Sequence, residues 1–508
     1  MTNKIIQNSD QLLKKIKKIR SQRKKIVLCH GVFDLIHIGH IKHFEEAKKY
    51  GDILIVSLTS DKYVNKGDGR PVFNQNLRSE FLNSITCIDF IFINNHASST
   101  NVIKIIKPNF YIKGPDYKNH QRDLTKKIFL ETNAVKINGG KTIYTKSVTF
   151  SSSNLINKYS DLLTNDQKNY IKQIKKKYNF EKIKSYIDNF KKIKVLIIGE
   201  TIIDQYNFCE ALGKAGKESH IVIRDLNSSN LLGGAAAIAN NISSYCKKIS
   251  ILSMIGDKND HLKFIKKNLD KNISFNYIRK KNSPTIIKKR YIDHVNKNKL
   301  FGVYSINDDL INFNQNQELI RKFNQLIKNH DLIIVSDYGH GFIDNEFAKQ
   351  IVNSKKYVSL NAQVNAANVG YHSLSKYSKA NILVINEKEL RHELRSKDQD
   401  LEILLKQIVK RTDYKTIVVT MGIKGSISIN KKDNKIIKTP SFSKNVVDKV
   451  GAGDSMLAIM SLAFKNKIPE DISMLFGALA GSFNVKSLAN SNSLSKNELL
   501  RTLEYSLK

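Results

Sequence analysis

At 508 residues the chain is too long for one ordinary hydrophobic core, so two or three domains are expected. Its hydrophobic content of 41% and charged content of 26% are typical of a globular protein and exclude a disordered chain. No apolar run approaches the roughly 18 residues of a membrane helix. The polar, Lys-rich first 25 residues also lack the apolar segment of a secretory signal.

The net charge of +38 raises the question of a nucleic-acid partner. The lysines are spread along the whole chain, however. Their densest runs, at residues 14–20 and 175–177, lie in segments with helical periodicity, where a solvated helix face explains them. We therefore expect neither a nucleic-acid nor a membrane partner. A generally positive surface also favours anionic substrates such as nucleotides and sugar phosphates.

The four cysteines are far apart in the sequence and lack the CxxC spacing of a metal or redox site; they are Cys29, Cys87, Cys209 and Cys246. This pattern predicts reduced thiols and neither a disulfide framework nor a zinc site. A cytoplasmic location is the corresponding expectation.

Apolar strands alternate with amphipathic helices almost throughout the chain, which predicts α/β architecture with largely parallel sheets. Residues 25–31 predict a buried strand, followed by a turn and a helix over residues 38–49. A strand over residues 52–58 completes one βαβ unit. Further strands are predicted at residues 90–94 and 110–113.

A charged stretch without Gly or Pro, at about residues 157–192, predicts a helical linker. A fresh α/β series follows it, with strands predicted at residues 195–199, 250–255, 332–336, 382–385 and 416–420. No short internal repeat is present. The predicted organisation is therefore a first domain over residues 1–157, a linker over 158–192 and a second domain over 193–508.

The densest motif of the first domain lies where a predicted strand gives way to a helix. It contains Phe33 and Asp34, followed by the His37, Gly39 and His40 of an HxGH pattern. Helix N-terminal amides attract anions, and imidazoles add directional donors that strengthen as charge moves onto a leaving pyrophosphate. Two histidines alone are more often structural, but the complete pattern behind a strand favours a triphosphate site.

This segment resembles the cytidylyltransferase-like group of HxGH nucleotidyltransferases, which have a Rossmann-like fold. Its supporting residues follow in the family's order: Lys66 to Pro71, Arg78, Lys113 to Tyr117, and a serine run. The resemblance implies that His37 and His40 hold the triphosphate and act in catalysis. It also implies contacts of Lys113 and Arg78 with phosphates or the incoming sugar phosphate, with Lys113 acting in catalysis. Nucleotide binding is implied for Phe33, Asp34, Gly39, Arg78, Ser151, Ser152 and Ser153.

The second domain carries a glycine-rich turn ahead of an apolar helical run. Asp448 opens it, Gly451, Ala452 and Gly453 follow, and Asp454 closes it. Small residues at a helix start let successive backbone amides point into one concavity, which binds a transferring phosphoryl group. A carboxylate directly after that turn can take the proton of an attacking sugar hydroxyl. The pattern alone also fits an ordinary helix entry.

Further motifs behind strands support the phosphoryl-transfer interpretation, and together they resemble the ribokinase-like (PfkB) carbohydrate kinases from about residue 194 to residue 508. The resemblance implies that Asp454 is the base and that the glycine-rich turn is the anion hole. It places Asn386 and Glu389 at Mg²⁺ and phosphate. Ser336, Asp337 and Tyr338 fit a strand end that lines the cleft. Implied nucleotide contacts are Asp448, Thr420, Gly422 and Gly425; implied sugar contacts are Asp204, Gly233, Gly234 and Asn241. Lys288 and Arg290 fit either a phosphate on the sugar or a surface strand.

The pairing of these two domains resembles the bifunctional heptose enzymes of ADP-heptose synthesis. The implied reactions are phosphorylation of heptose 7-phosphate at carbon 1 and, after a separate phosphatase acts, adenylylation of heptose 1-phosphate. Mg²⁺ and ATP are the implied cofactor and nucleotide. The chain departs from that family in its reversed domain order, in residues 212–218, and in Ala237 where the family carries Asn. The last two departures touch the sugar pocket.

Several alternatives stay open at this point. The sugar can be another surface-polysaccharide sugar, and the transferase can use CTP or another nucleotide. A further alternative is that the kinase half is active and the transferase half is not. A catalytically silent sensor and a nucleic-acid-binding protein are the rivals from other classes, and the intact Asp454, His37 and His40 argue against the sensor. A homodimer is also left open.

Overall fold

The computed structural model describes residues 4–6, 8–64, 70–115, 127–145, 163–443 and 446–507. The chain divides into two units, one of residues 1–164 with 500–508 and one of residues 165–499. The expected α/β architecture is confirmed in both. Within the described residues, no helix has the length and apolarity needed to cross a bilayer, and all four cysteines are free thiols.

The first unit is built on a six-stranded sheet in which every paired strand is parallel, in the order β1-β4-β3-β2-β5-β6. Its strands are β1 Ile5–Ile6, β2 Ile26–Gly31, β3 Ile53–Thr59, β4 Phe90–Asn94, β5 Phe110–Lys113 and β6 Lys141–Tyr144. Its helices are α1 Ser9–Ser21, α2 Ile38–Lys48, α3 Gln75–Asn83, α4 Thr100–Ile106 and α5 Lys127–Ile137.

Alternate residues of the central strands fill two separate cores, one on each face of this sheet. Leu28 and Ile55 pack with α1, α4 and α5 on one face. Val27 and Val56 pack with α2 and α3 on the other. Burial on both faces explains the continuous apolar runs from which the strands were predicted. The strand order changes direction between β2 and β5. Open parallel sheets bind ligands in the crevice at the carboxyl ends of the two strands where this happens.

The second unit has a nine-stranded sheet in the order β11-β10-β7-β14-β15-β16-β17-β18-β19, antiparallel only at β17-β18 and β18-β19. The strands are β7 Lys194–Gly199, β10 Lys248–Lys258, β11 Ile273–Pro284, β14 Leu332–Asp337, β15 Tyr357–Ala362, β16 Lys379–Asn386, β17 Asp413–Thr420, β18 Ser426–Asn430 and β19 Ile436–Thr439.

The helices of this part of the chain are α6 Asn165–Lys177, α7 Phe180–Asp188, α8 Gly234–Ile242, α9 Leu262–Asn268, α10 Phe313–Ile327, α11 Asn345–Asn353, α12 Glu387–Glu393, α13 Leu401–Arg411, α14 Ala452–Lys465, α15 Glu470–Asn484 and α16 Lys496–Leu507. The predicted linker contains α6 and α7. The Tyr170 hydroxyl of α6 donates to the Asp471 carbonyl at 2.7 Å. Helix α6 is therefore part of the second unit and packs within it.

A smaller sheet in the second unit was not predicted from the sequence. Its order is β13-β12-β8-β9, with strands β8 Thr201–Lys214, β9 Ile221–Gly233, β12 Ile286–Asp293 and β13 Lys299–Ser305. Lys288 of β12 lies opposite Asp204 of β8 in the parallel pairing. Three of the residues proposed for sugar binding, Asp204, Lys288 and Arg290, therefore sit on neighbouring strands of this sheet.

Candidate active sites

The two histidines of the HxGH motif form the N-terminal cap of α2. The Gly39 amide donates to Nδ1 of His37 at 3.1 Å, and the His37 amide donates to Nδ1 of His40 at 3.4 Å. The ring centroids lie 4.0 Å apart. Acceptance at Nδ1 selects the neutral tautomer with its proton on Nε2. Burial lowers the pKa of His37 and favours that neutral form.

Asp34 and Arg78 brace the chain around this cap. Oδ1 of Asp34 accepts from the amides of Val72 and Phe73, at 2.7 and 3.2 Å. The fully buried Arg78 donates to the carbonyls of Val32, Thr59 and Phe73 and to the Asp61 carboxylate. The family resemblance predicted a contact of Arg78 with a phosphate or a sugar phosphate. The guanidinium instead faces the protein's own oxygens. This geometry gives Arg78 a role in holding the loops.

Phe33 adopts a left-handed backbone conformation at φ 48° and packs its ring edge-on against His40, with centroids 5.6 Å apart. A Cβ on Gly31 would lie 2.9 Å from that ring. Gly31 therefore lets Phe33 fold back under the histidine. Phe33 supports the position of His40 by packing.

Lys113 ends β5 and is buried beside Glu131 of α5. Its Nζ lies 3.2 Å from Oε2 of Glu131 and 3.4 Å from the His30 carbonyl. The Tyr111 hydroxyl also donates to Glu131, at 2.9 Å. Burial alone would raise the pKa of Glu131, but the Lys113 and His30 charges and the hydrogen bonds from Ser99 and Tyr111 together outweigh it, and the pKa falls to about 2. Glu131 was missed from the sequence because no motif contains it.

His43 is a second residue that the motif did not include. It lies one turn beyond His40 on α2, and its Nδ1 is 3.1 Å from the Thr145 hydroxyl. Burial, helped by the Lys113 charge, lowers the pKa of His43 to about 4, so the imidazole is neutral near pH 7. The predicted contacts at residues 66–69, Asp116, Tyr117, Ser151, Ser152 and Ser153 lie outside the described residues.

In the second unit, Asp454 lies in the first turn of α14. The helix cap, Gly451, has φ 86°, and a Cβ there would lie 2.2 Å from the Asn490 side chain. A Cβ on Gly453 would instead meet nothing within 4 Å. The turn is therefore tightly packed at its cap and open at the position before Asp454. Open backbone at a helix start is what an anion needs.

The Asp454 carboxylate is surrounded by groups from three other elements. The Tyr338 hydroxyl donates to its Oδ1 at 2.7 Å. Burial raises the pKa of Asp454 to about 7; the Asp204 charge adds to that rise, and Tyr338 and Lys288 oppose it. A carboxylate with a pKa near 7 is matched to general-base work at neutral pH.

Asp448 ties the smaller sheet to the glycine-rich turn. Its carboxylate accepts from the Tyr206 hydroxyl at 2.5 Å and lies 2.6 Å from Nζ of Lys299. It also accepts from the amides of Val450 and Ala489, at 3.2 Å each. Burial would raise the pKa of Asp448, but Lys299 and Tyr206 outweigh it and hold the pKa low. Asp448 therefore organises the turn through ion pairing and hydrogen bonding.

The predicted sugar side is formed by β8, β12 and the start of α8. The Arg290 guanidinium donates to Oδ1 of Asp204. A Cβ on Gly233 would lie 2.4 Å from Oδ2 of Asp204, so glycine allows the carboxylate to approach the backbone. Gly234 has φ 59°, and a Cβ there would lie 2.2 Å from the Glu200 carbonyl oxygen. Asn241 is buried, and its Nδ2 has no hydrogen-bond partner among the described residues.

Lys288 lies between two aromatic rings, with Nζ 5.4 Å from the ring centroids of both Tyr304 and Tyr338. It is 6% exposed, and burial lowers its pKa while Asp204 opposes that change. The side chain is thus a largely desolvated cation held over the same tyrosine that contacts Asp454. A cation in this setting attracts a phosphate more strongly than a surface lysine does.

Asn386 and Glu389 cap α12 reciprocally. The Glu389 amide donates to Oδ1 of Asn386 at 2.9 Å, and the Asn386 amide donates to Oε2 of Glu389 at 2.8 Å. Burial raises the pKa of Glu389 to about 7, with the Asp454 charge adding to it. A buried carboxyl whose pKa is raised by a second carboxylate fits a nearby Mg²⁺. No three metal-binding side chains converge within the described residues, so such an ion would need nucleotide phosphates and water as further ligands.

The predicted nucleotide turn follows the neighbouring strand. Thr420 lies directly opposite Asn386 in the parallel pairing of β17 and β16. The Met421 amide donates to the Gly425 carbonyl at 2.8 Å and closes the turn. Gly422 and Gly425 both have positive φ, at 61° and 91°. The carboxyl ends of β16 and β17 therefore place the Asn386 motif and the glycine turn side by side.

The comparison with protein families decides the classification. The model of pfkB family carbohydrate kinases matches residues 192–497, which is more than half of the chain. The chain belongs to the pfkB family. Within the first unit, residues 28–159 match the cytidylyltransferase-like family. Both families expected from the sequence, and with them the two enzyme classes, are thus confirmed.

Named relatives match the cytidylyltransferase-like unit of this pfkB protein. The bifunctional protein HldE of Aliarcobacter butzleri is 39% identical over 119 residues, which is 23% of this chain and 25% of that protein. The bifunctional protein HldE of Campylobacter jejuni strain RM1221 is 41% identical over 118 residues, again 23% and 25%. The match thus spans about a quarter of the length of these relatives.

Solved structures resemble this pfkB protein over the larger part of its length. Phosphofructokinase-2 from Escherichia coli in complex with potassium gives a TM-score of 0.50 at 14% identity, covering 62% of this chain and 100% of that one. Ribokinase from Thermotoga maritima gives 0.50 at 19% identity, covering 61% and 99%. These likenesses establish the ribokinase-like fold.

Proposed function

We propose that this protein is a two-activity enzyme of sugar-nucleotide synthesis. The second unit phosphorylates a sugar phosphate, heptose 7-phosphate at carbon 1, with ATP. The first unit transfers a nucleotide, the adenylyl group of ATP, to a sugar 1-phosphate and releases pyrophosphate. The single observation that carries the proposal is Asp454 in the open first turn of α14, beside the Tyr338 hydroxyl and Lys288.

In the kinase reaction, Asp454 accepts the proton of the acceptor hydroxyl as its oxygen bonds to the γ-phosphorus of ATP. The bond between that phosphorus and the β-phosphate oxygen breaks, and ADP leaves. The backbone amides at Ala452 and Gly453 face the transferring phosphoryl group. Kinases generally use ATP with a divalent metal ion. Asn386 and Glu389 are the residues that would hold Mg²⁺, which neutralises charge on the phosphates.

The charge around the acceptor site supports a substrate that already carries a phosphate. Lys288 is buried and lies on β12 opposite Asp204. Arg290 is paired with Asp204, so the guanidinium orients the carboxylate that would accept hydrogen bonds from sugar hydroxyls. We assign phosphate attraction to Lys288 and sugar positioning to the Asp204–Arg290 pair.

In the transferase reaction, an oxygen of the sugar phosphate attacks the α-phosphorus of the nucleotide in line, and the bond to pyrophosphate breaks. The neutral imidazoles of His37 and His40 donate from Nε2 to the triphosphate. Lys113 supplies a positive charge at the end of β5. Positioning and charge stabilisation account for this catalysis, and no covalent enzyme intermediate is needed.

A second candidate is the same pair of reactions on another surface-polysaccharide sugar, with CTP or another nucleotide. It is favoured by the position of the matched segment, because the relatives named HldE match the first unit and leave the acceptor site of the kinase unit uncovered. Residues 212–218, at the end of β8 and in the turn before β9, and Ala237 of α8 are the departures that would alter the sugar pocket.

The test is turnover with defined sugars. The purified chain is incubated with Mg-ATP and D-glycero-D-manno-heptose 7-phosphate, and ADP release and product mass are followed beside Asp454→Asn. We expect a heptose bisphosphate from the native protein and at least about a hundredfold loss in the variant, since a general base contributes that much. Heptose 1-phosphate with each nucleotide then identifies the transferase donor. Turnover of other sugars but not of this one would overturn the heptose assignment.

A further inference from the structure

Tyr338 follows β14 directly, and its side chain reaches the carboxylate of Asp454 from a position 116 residues earlier in the sequence. Its hydroxyl donates to Oδ1 of Asp454 at 2.7 Å, and the residue is only 4% exposed. Burial and the Asp454 charge raise the pKa of the Tyr338 phenol well above its ordinary value. The hydroxyl therefore keeps its proton and remains a donor wherever the enzyme works.

The backbone of Tyr338 is held on both sides by side chains. Its amide donates to the buried Glu200 carboxylate at 3.0 Å. Its carbonyl accepts from Nδ2 of Asn368 at 2.7 Å and from Nδ2 of Asn365 at 3.0 Å. Three hydrogen bonds from other elements thus fix the main chain of this one residue. Such support restricts a donor to one position, which is what pre-organised catalytic geometry requires.

The ring of Tyr338 is fixed as well. Nζ of Lys288 lies 5.4 Å from its centroid, within the range of a cation–π contact. Ring, backbone and hydroxyl are therefore all constrained, and the hydroxyl contacts only one of the two carboxylate oxygens of Asp454.

We propose that Tyr338 is a positioning residue for phosphoryl transfer: its hydroxyl holds Oδ1 of Asp454 and thereby presents Oδ2 to the acceptor hydroxyl. This inference rests on the proposed kinase function, in which Asp454 is the base. Tyr338 itself transfers no proton. It fixes the rotamer of the carboxylate and favours its ionised form, because a hydrogen bond donated to a carboxylate stabilises the charge.

The ionisation of Asp454 responds to three groups that face it from the elements around it. Tyr338 and Lys288 favour the ionised form, whereas Asp204 opposes it. Asp454 in turn raises the pKa of Glu389. The base must be ionised to accept a proton, so kinase activity should rise with pH through the pKa of Asp454. Removal of the Tyr338 hydroxyl takes away one stabilising donor. The acid limb of the pH profile should then move to higher pH.

The experiment compares native protein, Tyr338→Phe and Tyr414→Phe in the full chain. Tyr414 is the matched control because its hydroxyl is equally buried and donates to the Tyr377 carbonyl at 2.8 Å, with no contact to Asp454. We expect the acid limb of kcat/KM to rise by roughly one pH unit in Tyr338→Phe alone. Its activity should fall roughly fivefold at pH 7 and recover at pH 9, since that shift leaves about a fifth as much ionised base. The KM for ATP should stay unchanged.

A second measurement keeps the inference testable if the acceptor is misassigned. The carboxyl carbon signal of Asp454, labelled with ¹³C and identified by its loss in Asp454→Asn, is titrated in each variant without substrate. A higher midpoint in Tyr338→Phe than in the native protein and Tyr414→Phe supports the inference. An unchanged midpoint and pH profile would overturn it. Absence of kinase turnover in the native protein would contradict the proposed function instead, while the titration still decides the role of Tyr338.

Discussion

Glu131 and Lys113 form a buried ion pair in the first unit, and neither can be removed without leaving the other in a desolvated site. Breaking a buried pair is strongly destabilising because the remaining charge has no solvent. Glu131 also anchors Tyr111 and the Ser99 amide. The end of β5 therefore depends on a carboxylate from α5.

We expect Glu131→Gln to lower the free energy of unfolding of the first unit by about 3 kcal/mol near pH 7. The pKa of Glu131 is depressed in the folded state, so its stabilisation is present above the unfolded pKa and is lost as pH falls through about 2. The stability difference between native and variant protein should therefore shrink between about pH 5 and pH 2. Urea unfolding across this range measures it, with the exposed Glu80→Gln as control. A constant difference at all pH values would contradict the assignment.

The sequence was sufficient to find the residues that short motifs contain. His37, His40, Asp454 and the glycine turn were located because their chemistry depends on neighbours in the chain. Glu131 carries no such signal, since Lys113 is its partner only through the packing of α5 on the sheet. A ligand contact was also predicted for Arg78 from the sequence. In the folded chain the Arg78 side chain is buried, and it donates to the Val32, Thr59 and Phe73 carbonyls. Burial of a single arginine is not readable from sequence.

At the scale of elements, the start of α14 contains two glycines with different roles. Gly451 has φ 86°, and a Cβ there would lie 2.2 Å from the Asn490 side chain, so glycine is required by the backbone and by packing. A Cβ on Gly453 would meet nothing within 4 Å, and Gly453 has no positive φ, so an added methyl group is tolerated by the fold. That methyl group would nevertheless stand in the space proposed for the transferring phosphoryl group.

We therefore predict different outcomes for Gly451→Ala and Gly453→Ala. The first should destabilise the second unit by about 1–3 kcal/mol through backbone strain and overpacking. The second should leave stability within about 0.5 kcal/mol and reduce kcat of the kinase at least tenfold. Denaturant unfolding and sugar-dependent ADP release distinguish the two effects. Full kinase activity in Gly453→Ala would contradict the anion hole.

The elements that were predicted correctly are the ones buried on both faces. The strand at residues 90–94 was found at its observed bounds, because a parallel strand between helices is a continuous apolar run. The smaller sheet was missed for the opposite reason. The middle of β9 is exposed, and its residues 225–230 are mostly polar, so neither an apolar run nor a clean alternation marks it. Long-range pairing with β8 defines that strand.

At the scale of the whole molecule, we propose that the two active sites in one chain catalyse separate reactions. Each site has its own sheet edge and its own helix N-terminus, at α2 in the first unit and α14 in the second. The two reactions also release different products, ADP from the kinase and pyrophosphate from the transferase. A change confined to one site should therefore leave the other reaction intact.

The most direct test measures both products from native protein, Asp454→Asn and His40→Asn. Asparagine at position 40 keeps an acceptor for the His37 amide but lacks the Nε2 donor. We predict that Asp454→Asn loses sugar-dependent ADP release and keeps pyrophosphate release with a sugar 1-phosphate, and that His40→Asn does the reverse. If either variant lost both reactions while remaining folded, or if the native chain released only one product, the claim of two independent sites would be contradicted.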